Sequence, residues 1–203
     1  MHCGQYGGAP ISSTLGATHP MAKQLTADDA RQSLATHVEA KGLEIYGKYG
    51  PVLGWTGLQQ LLADRIYVRY PCEVVFDAGP LEPGEFAVPL QKGERPEEGF
   101  TMFVHPVFMT QLDLVPALVL YQLVALNYGV FASAHEAETF GAAALGITRD
   151  EYYDRLCELS DQLGGGLKAA PVAAAERLWR GLPLRRLSRR PHSVFFGCDR
   201  CRT

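Results

Sequence analysis

The hydrophobic pattern is strongest between Phe100 and Leu145, in the stretch FTMFVHPVFMTQLDLVPALVLYQLVALNYGVFASAHEAETFGAAAL. It predicts a strand ending at His105-Pro106, a buried helix over about Pro116 to Tyr128, and a second helix beginning at Ser133. Pro116 suits an early helical position, where a missing N–H goes unnoticed, and Gly129 suits the stop because it can turn left-handed. Between them the run ALVLYQLVALNY is apolar almost all round, broken only by Tyr121, Gln122 and Asn127. A helix of that kind must be covered on several sides. It is too short to cross a bilayer, which takes about 20 apolar residues. Gln122 is then expected as a buried amide with its own hydrogen-bond partners.

The flanking sequence divides into weaker elements. Thr26 with Asp29 has capping-box spacing and opens a first helix; Ala30, Leu34 and Val38 form its narrow apolar stripe, and Gly42 is expected to end it. His37 beside that stripe reads as a surface histidine. YGKYGPVLGW, residues 46–55, reads as an aromatic, glycine-rich loop that packs inward or forms a pocket lip. Its glycine spacing fits neither G-x-x-x-x-G-K-[ST] nor G-x-G-x-x-G, so it is no phosphate loop. A short helix is expected around Leu58, Leu61 and Leu62. Strands are expected over Arg65 to Asp77, with Pro71 as a break or edge, and over Phe86 to Gln91 and Phe100 to His105. Three strands with no helix between them predict a mostly antiparallel meander. Ser133 with Glu136, and Thr148 with Glu151, have capping-box spacing, and Gly146 separates the two helices they start. Phe140, Ala144, Tyr152, Leu156, Leu159 and Leu163 supply the inward faces.

These elements add up to an α+β fold, with a small, mostly antiparallel sheet packed against a helical C-terminal half around a buried central helix. Residues 1–25 read as a disordered arm, with Met21 as a second candidate start. Residues 26–163 read as a single domain, and 164–203 as a glycine hinge, a short helix from about Val172 to Trp179 and a basic tail.

Charge and cysteine content refine this picture. The chain carries a net charge of −3. Residues 180–203 hold seven arginines against Asp199, so the tail is +6 and the remainder −9. Such a tail suits an acidic partner, nucleic acid as a lesser reading, or the chain's own acidic body. The first 25 residues have no basic start and no continuous apolar core, so they do not read as a secretory signal. Five cysteines, an odd number, fit a reducing compartment, and the expected location is cytoplasmic, with no membrane contact. Cys72 and Cys157 read as small buried hydrophobes. Cys198 and Cys201 form a C-x-x-C with His192 upstream, half of what a zinc site needs, and they lie too near the chain end for a thioredoxin-like motif.

A strand ending in Val104-His105-Pro106, then a loop, then a buried helix entered near a proline, resembles the layout of small zinc metallopeptidases of the zincin class over roughly Leu58 to Leu145. In that class the helix carries H-E-x-x-H, two histidines one turn apart facing the metal and a glutamate activating its water. Aligned on this helix, the three essential positions fall on Gln122, Leu123 and Leu126, and leucine neither binds zinc nor takes a proton. The resemblance thus implies a catalytically silent frame. A rebuilt site would have to draw on His105, His135 and Glu138, of which His135 and Glu138 can share a helical face. There is no G-x-S-x-G elbow. The carboxylates Asp77, Glu82, Glu85, Glu94, Glu97 and Glu98 fall on turns, where acids are mostly solvated.

The reading that follows is a binding or interaction protein contacting an unidentified protein or small molecule through Tyr46, Tyr49, Trp55, His105, Gln122 and His135. One alternative is a metal-dependent hydrolase on His105, His135 and Glu138. The other is a metal or redox accessory protein using His192, Cys198 and Cys201. No cofactor is the default expectation, and zinc is the metal these residues would invite.

Overall fold

The computed structural model describes residues 26–163. The expected N-terminal arm, glycine hinge, Val172 to Trp179 helix and basic tail lie outside the described residues. The described chain runs α1 (Ala27–Tyr49), α2 (Trp55–Ala63), β1 (Cys72–Phe76), β2 (Ala87–Gln91), β3 (Phe100–Val104), α3 (Val115–Tyr128), α4 (Ala134–Leu145) and α5 (Arg149–Asp161). It is α+β. No helix among the described residues is long and apolar enough to cross a membrane.

α3 is the centre. Val115, Pro116, Ala117, Leu118, Val119, Leu120, Gln122, Leu123, Val124 and Leu126 are all buried in it, so every side of the helix is covered. The sheet, α4, α2 and α5 all touch it. Pro116 sits in the first turn, and Gly129 ends the helix at φ 60°. The local caps form as the spacing predicts: Thr26 with Asp29, Ser133 with Glu136 and Thr148 with Glu151 each exchange side-chain and backbone hydrogen bonds. Gly146 closes α4 in the left-handed conformation.

Gly42 does not end α1, which continues to Tyr49. Its missing side chain has a different purpose. A Cβ placed there would stand 2.6 Å from the Ala143 Cβ and 2.7 Å from the Phe140 carbonyl oxygen, so glycine lets the two helix backbones meet. One turn on, the Tyr46 ring lies against Gly146, and the C-terminal halves of α1 and α4 therefore advance side by side. The apolar stripe shifts accordingly: Val38, Gly42 and Ile45 are buried, Leu34 is partly buried, and Ala30 is exposed. A second glycine works the same way across α4 and α5. Gly141 leaves the space filled by the Tyr152 ring, whose hydroxyl donates to the Ala117 carbonyl of α3 at 2.6 Å.

The sheet is mixed, where a mostly antiparallel meander was expected. Its order is β1-β3-β2, with β1 and β3 parallel and β2 and β3 antiparallel. The chain crosses from β1 to the far edge for β2, and β3 returns between them. Residue order along a chain says nothing about which strand takes the middle place. The long expected strand from Arg65 also shortens to Cys72–Phe76. The Asp64 carbonyl accepts from the Tyr67 and Val68 N–H groups at 3.1 and 2.9 Å, which winds residues 64–68 into a turn.

If Gly42 is a packing glycine, Gly42→Ala gains helix propensity but forces α1 off α4. The expected net result is a loss of about 1–3 kcal/mol of stability, as for other overpacked contacts. Urea unfolding of both proteins checks it, and an unchanged or raised stability would contradict the close approach.

Candidate functional site

The end of α1 and the turn after α2 build the most distinctive polar surface among the described residues. Lys41 and Lys48 are seven residues apart, two helical turns, and so share one side of α1. Both ammonium groups lie over the Tyr67 ring, at 5.7 and 5.5 Å from its centroid, and Lys48 also lies 5.3 Å from the Tyr49 centroid. The Tyr49 and Tyr67 rings meet edge to face at 6.3 Å. Cations over aromatic faces are held by the ring quadrupole.

Asp64 ties this arrangement together. Lys48 Nζ donates to its Oδ2 at 2.6 Å and the Tyr49 hydroxyl to the same oxygen at 2.9 Å, while Oδ1 accepts the Ile66 N–H at 3.0 Å. The Lys48 bond first, then the Ile66 N–H and the Tyr49 hydroxyl, hold the Asp64 carboxyl down at about 2. In return, the bond to Asp64 raises the pKa of Lys48, and burial first and Asp64 second raise that of the Tyr49 phenol. Beyond this clasp, Arg69 lies over Tyr70 at 5.4 Å and Arg65 donates to the Arg69 carbonyl at 2.8 Å. Asn127, at the end of α3, accepts from the Arg69 N–H and donates to the Tyr67 carbonyl, which anchors the turn to the core. Ile66 stands 68% exposed in the midst of these groups.

Of the residues expected to make contacts, Tyr49 belongs to this face. Tyr46 is helical, not in a loop, and spends one side of its ring on Gly146. Trp55 is half-buried at the start of α2, 5.8 Å from the Phe76 ring. Gln122 is buried in α3, 4% exposed. His105 ends β3 and caps the short 3-10 turn Pro106–Thr110, its Nδ1 accepting from the Val107 N–H at 3.3 Å. His192, Cys198 and Cys201 lie outside the described residues.

His135 and Glu138 do come together, but around a cation. Arg149 Nη1 is 2.6 Å from His135 Nδ1, and its Nε is 3.9 Å from a Glu138 oxygen. A guanidinium only donates, so the imidazole nitrogen accepts and is unprotonated in this geometry. Burial raises the pKa of the Glu138 carboxyl, with the Arg149 charge opposing. Burial also pushes the neighbouring Tyr121 phenol up to about 12 and raises that of Tyr152 well above its ordinary value, so neither ionises near neutral pH. Among the described residues, no group of three or more His, Cys, Asp or Glu side chains is arranged to hold a metal ion. Cys72 and Cys157 are half-buried and not in a disulfide, and burial pushes the Cys72 thiol up to about 12, far from a nucleophile's range.

Lys41, Lys48, Asp64, Tyr67 and Arg69 are the residues that the sequence reading passed over. One signal was present: the i, i+7 spacing of the two lysines, visible only if α1 is carried past Gly42. Asp64 and Tyr67 gave none, because their pairing with α1 is made in space.

Asp64 has a folded pKa below its ordinary value near 3.8, so the stabilisation it provides is present above that value and is lost as pH falls toward about 2. Asp64→Asn is therefore expected to lower the melting temperature at neutral pH and to flatten its fall between those two pH values. Melting curves of both proteins across the window check this; parallel curves would show that the carboxylate carries no such linkage.

The chain matches no protein family, no curated protein and no solved structure in comparisons with each.

Proposed function

We propose that this is a cytoplasmic binding protein whose lysine and tyrosine face, formed by the end of α1 and the turn 64–70, receives an acidic segment of another protein. The observation that carries this reading is the convergence of Lys41 and Lys48 on Tyr67, continued by Arg65 and Arg69. Four cations stand there against two carboxylates, Glu44 and Asp64, which pair with Lys41 and Lys48 at 2.8 and 2.6 Å. The local balance is thus +2, on a chain whose net charge is −3. Among the described residues, neither Arg65 nor Arg69 forms a salt bridge to a carboxylate.

The chemistry favours a protein partner. Guanidinium groups bind carboxylates through paired, charge-assisted hydrogen bonds, and tyrosine is enriched at the energetic centres of protein interfaces. Ile66 adds an apolar contact at the middle of the charged groups. Nucleic acid fits less well, since its affinity grows with the number of phosphates neutralised and only two cations here are without a carboxylate partner. On this reading, the zincin-like layout is a frame whose essential positions are taken by Gln122, Leu123 and Leu126. The hydrolase alternative has the Arg149 guanidinium between His135 and Glu138, a positive charge where a metal ion would have to bind.

Titration of the full chain with a short peptide of glutamate and leucine, followed by backbone amide NMR, tests this. Shifts are expected at Lys48, Ile66, Tyr67 and Arg69. Replacing both arginines, Arg65→Glu with Arg69→Glu, should weaken binding by about tenfold or more, the scale of lost charge-assisted hydrogen bonds. Equal shifts with a glutamine and leucine peptide, or tighter binding of a single-stranded oligonucleotide, would refute the acidic-protein reading.

A further inference from the structure

The two edges of the sheet are unlike. Hydrogen bonds fix which way each residue turns its backbone. On the β2 side, His105 N–H donates to the Phe86 carbonyl and Lys92 N–H to the Gly99 carbonyl, both at 2.9 Å. With the register Val88 opposite Phe103, the even residues of β2 therefore face β3, and Ala87, Pro89 and Gln91 face outward. Pro89 has no N–H to offer at the middle of that edge, and Ala87, Val88 and Pro89 are buried. A proline on a covered outer edge removes a donor that would otherwise need a partner.

β1 is the opposite case. Phe100 N–H donates to the Pro71 carbonyl at 2.7 Å and Asp77 N–H to the Val104 carbonyl at 3.1 Å. With Cys72 opposite Phe100, Glu73 and Val75 turn their backbone groups to β3, while Cys72, Val74 and Phe76 turn theirs outward. Among the described residues no backbone group pairs with that outer edge. No proline interrupts it, and none of the five residues of β1 is buried. Cys72, Val74 and Phe76 are only half-buried, whereas Phe100, Met102 and Val104 next to them on β3 are 0–1% exposed. Cover falls away at β1.

We propose that this edge pairs with the same edge of a second copy of the chain, β1 antiparallel to β1 about a two-fold axis at Val74. The occupant is argued from register. Outward-facing residues must form the hydrogen-bonded pairs, so Val74 meets its own counterpart and Cys72 meets Phe76 of the other copy. Glu73 then stands opposite Val75 of the other copy, and no like charges face each other. Further out, Asp77 comes opposite Pro71, near Arg69 of the other copy, so opposite charges meet at both ends. The pairing would extend two three-stranded sheets into one of six strands. Five residues per edge make a small interface, so the dimer dissociates on dilution.

Sedimentation of the full chain over a dilution series tests this with three variants. The wild type should show a concentration-dependent dimer. Val74→Pro removes an outward N–H that has no partner in the β3 ladder, so it should leave the circular dichroism and melting of the dilute protein near wild type and abolish the dimer. Val75→Glu places like charges across from Glu73 twice and should weaken the dimer by about tenfold, whereas Val75→Lys should tighten it. Should Val74→Pro fail to fold, the ordering of the two Val75 variants decides. A wild type that stays monomeric, a dimer that survives Val74→Pro, or equal effects of glutamate and lysine at position 75 would each overturn the proposal. Arg69 is the one residue shared with the acidic-peptide face, and none of these variants alters it, so the two readings fail separately.

Discussion

A helix that is apolar around its whole circumference has to be enclosed, and α3 imposes that demand on everything near it. One side is met by β2 and β3, another by α4 and α5, and α2 closes a third. From α5 the Tyr152 hydroxyl reaches into this enclosure and donates to the Ala117 carbonyl in the first turn of α3. Tyr152 reaches it because Gly141 leaves room in α4. The enclosure thus rests on missing side chains as much as on present ones. α1 then docks on the outside of α4 through Gly42, and this docking carries Lys48 and Tyr49 to Asp64.

The lysine and tyrosine face is a consequence of that architecture. Its parts come from one end of α1 and from a turn anchored to α3 by Asn127. Asp64 supplies an acceptor to three donors at once, which is why its carboxyl stays ionised into strong acid. With both lysines held by carboxylates and rings, the face is ordered before any partner arrives, and less side-chain entropy remains to be lost on binding. The two arginines are differently placed: their backbone and ring contacts orient them, while their charge is available.

The cluster on α4 and α5 shows why composition misleads about chemistry. His135 and Glu138 are a histidine and a carboxylate one turn apart, the raw material of a metal site. Arg149, eleven residues past Glu138, brings its guanidinium to both. A neighbouring cation repels a metal ion and consumes the same lone pairs. His105 is likewise engaged, as the cap of the turn that follows β3.

What the sequence determined by itself was local. The capping boxes at Thr26, Ser133 and Thr148 close within a few residues, and the apolar run of α3 announces its own burial, so the helices and the α+β class were legible. Tertiary structure decided whatever depends on a distant partner. Gly42 has the composition of a helix stop, and only the approach of Ala143 and Phe140 shows it to be a contact. Residues 65–71 have strand-like residues, yet Asp64 winds the first of them, up to Val68, into a turn. The middle place of β3, parallel to β1 and antiparallel to β2, rests on pairing between strands that chain order does not specify. Of the candidate face, Tyr49 could be named from the sequence. Lys41 and Lys48 left only their i, i+7 spacing, which counts once α1 runs past Gly42, and Asp64, Tyr67 and Arg69 left no trace, because electrostatic and ring contacts act through space.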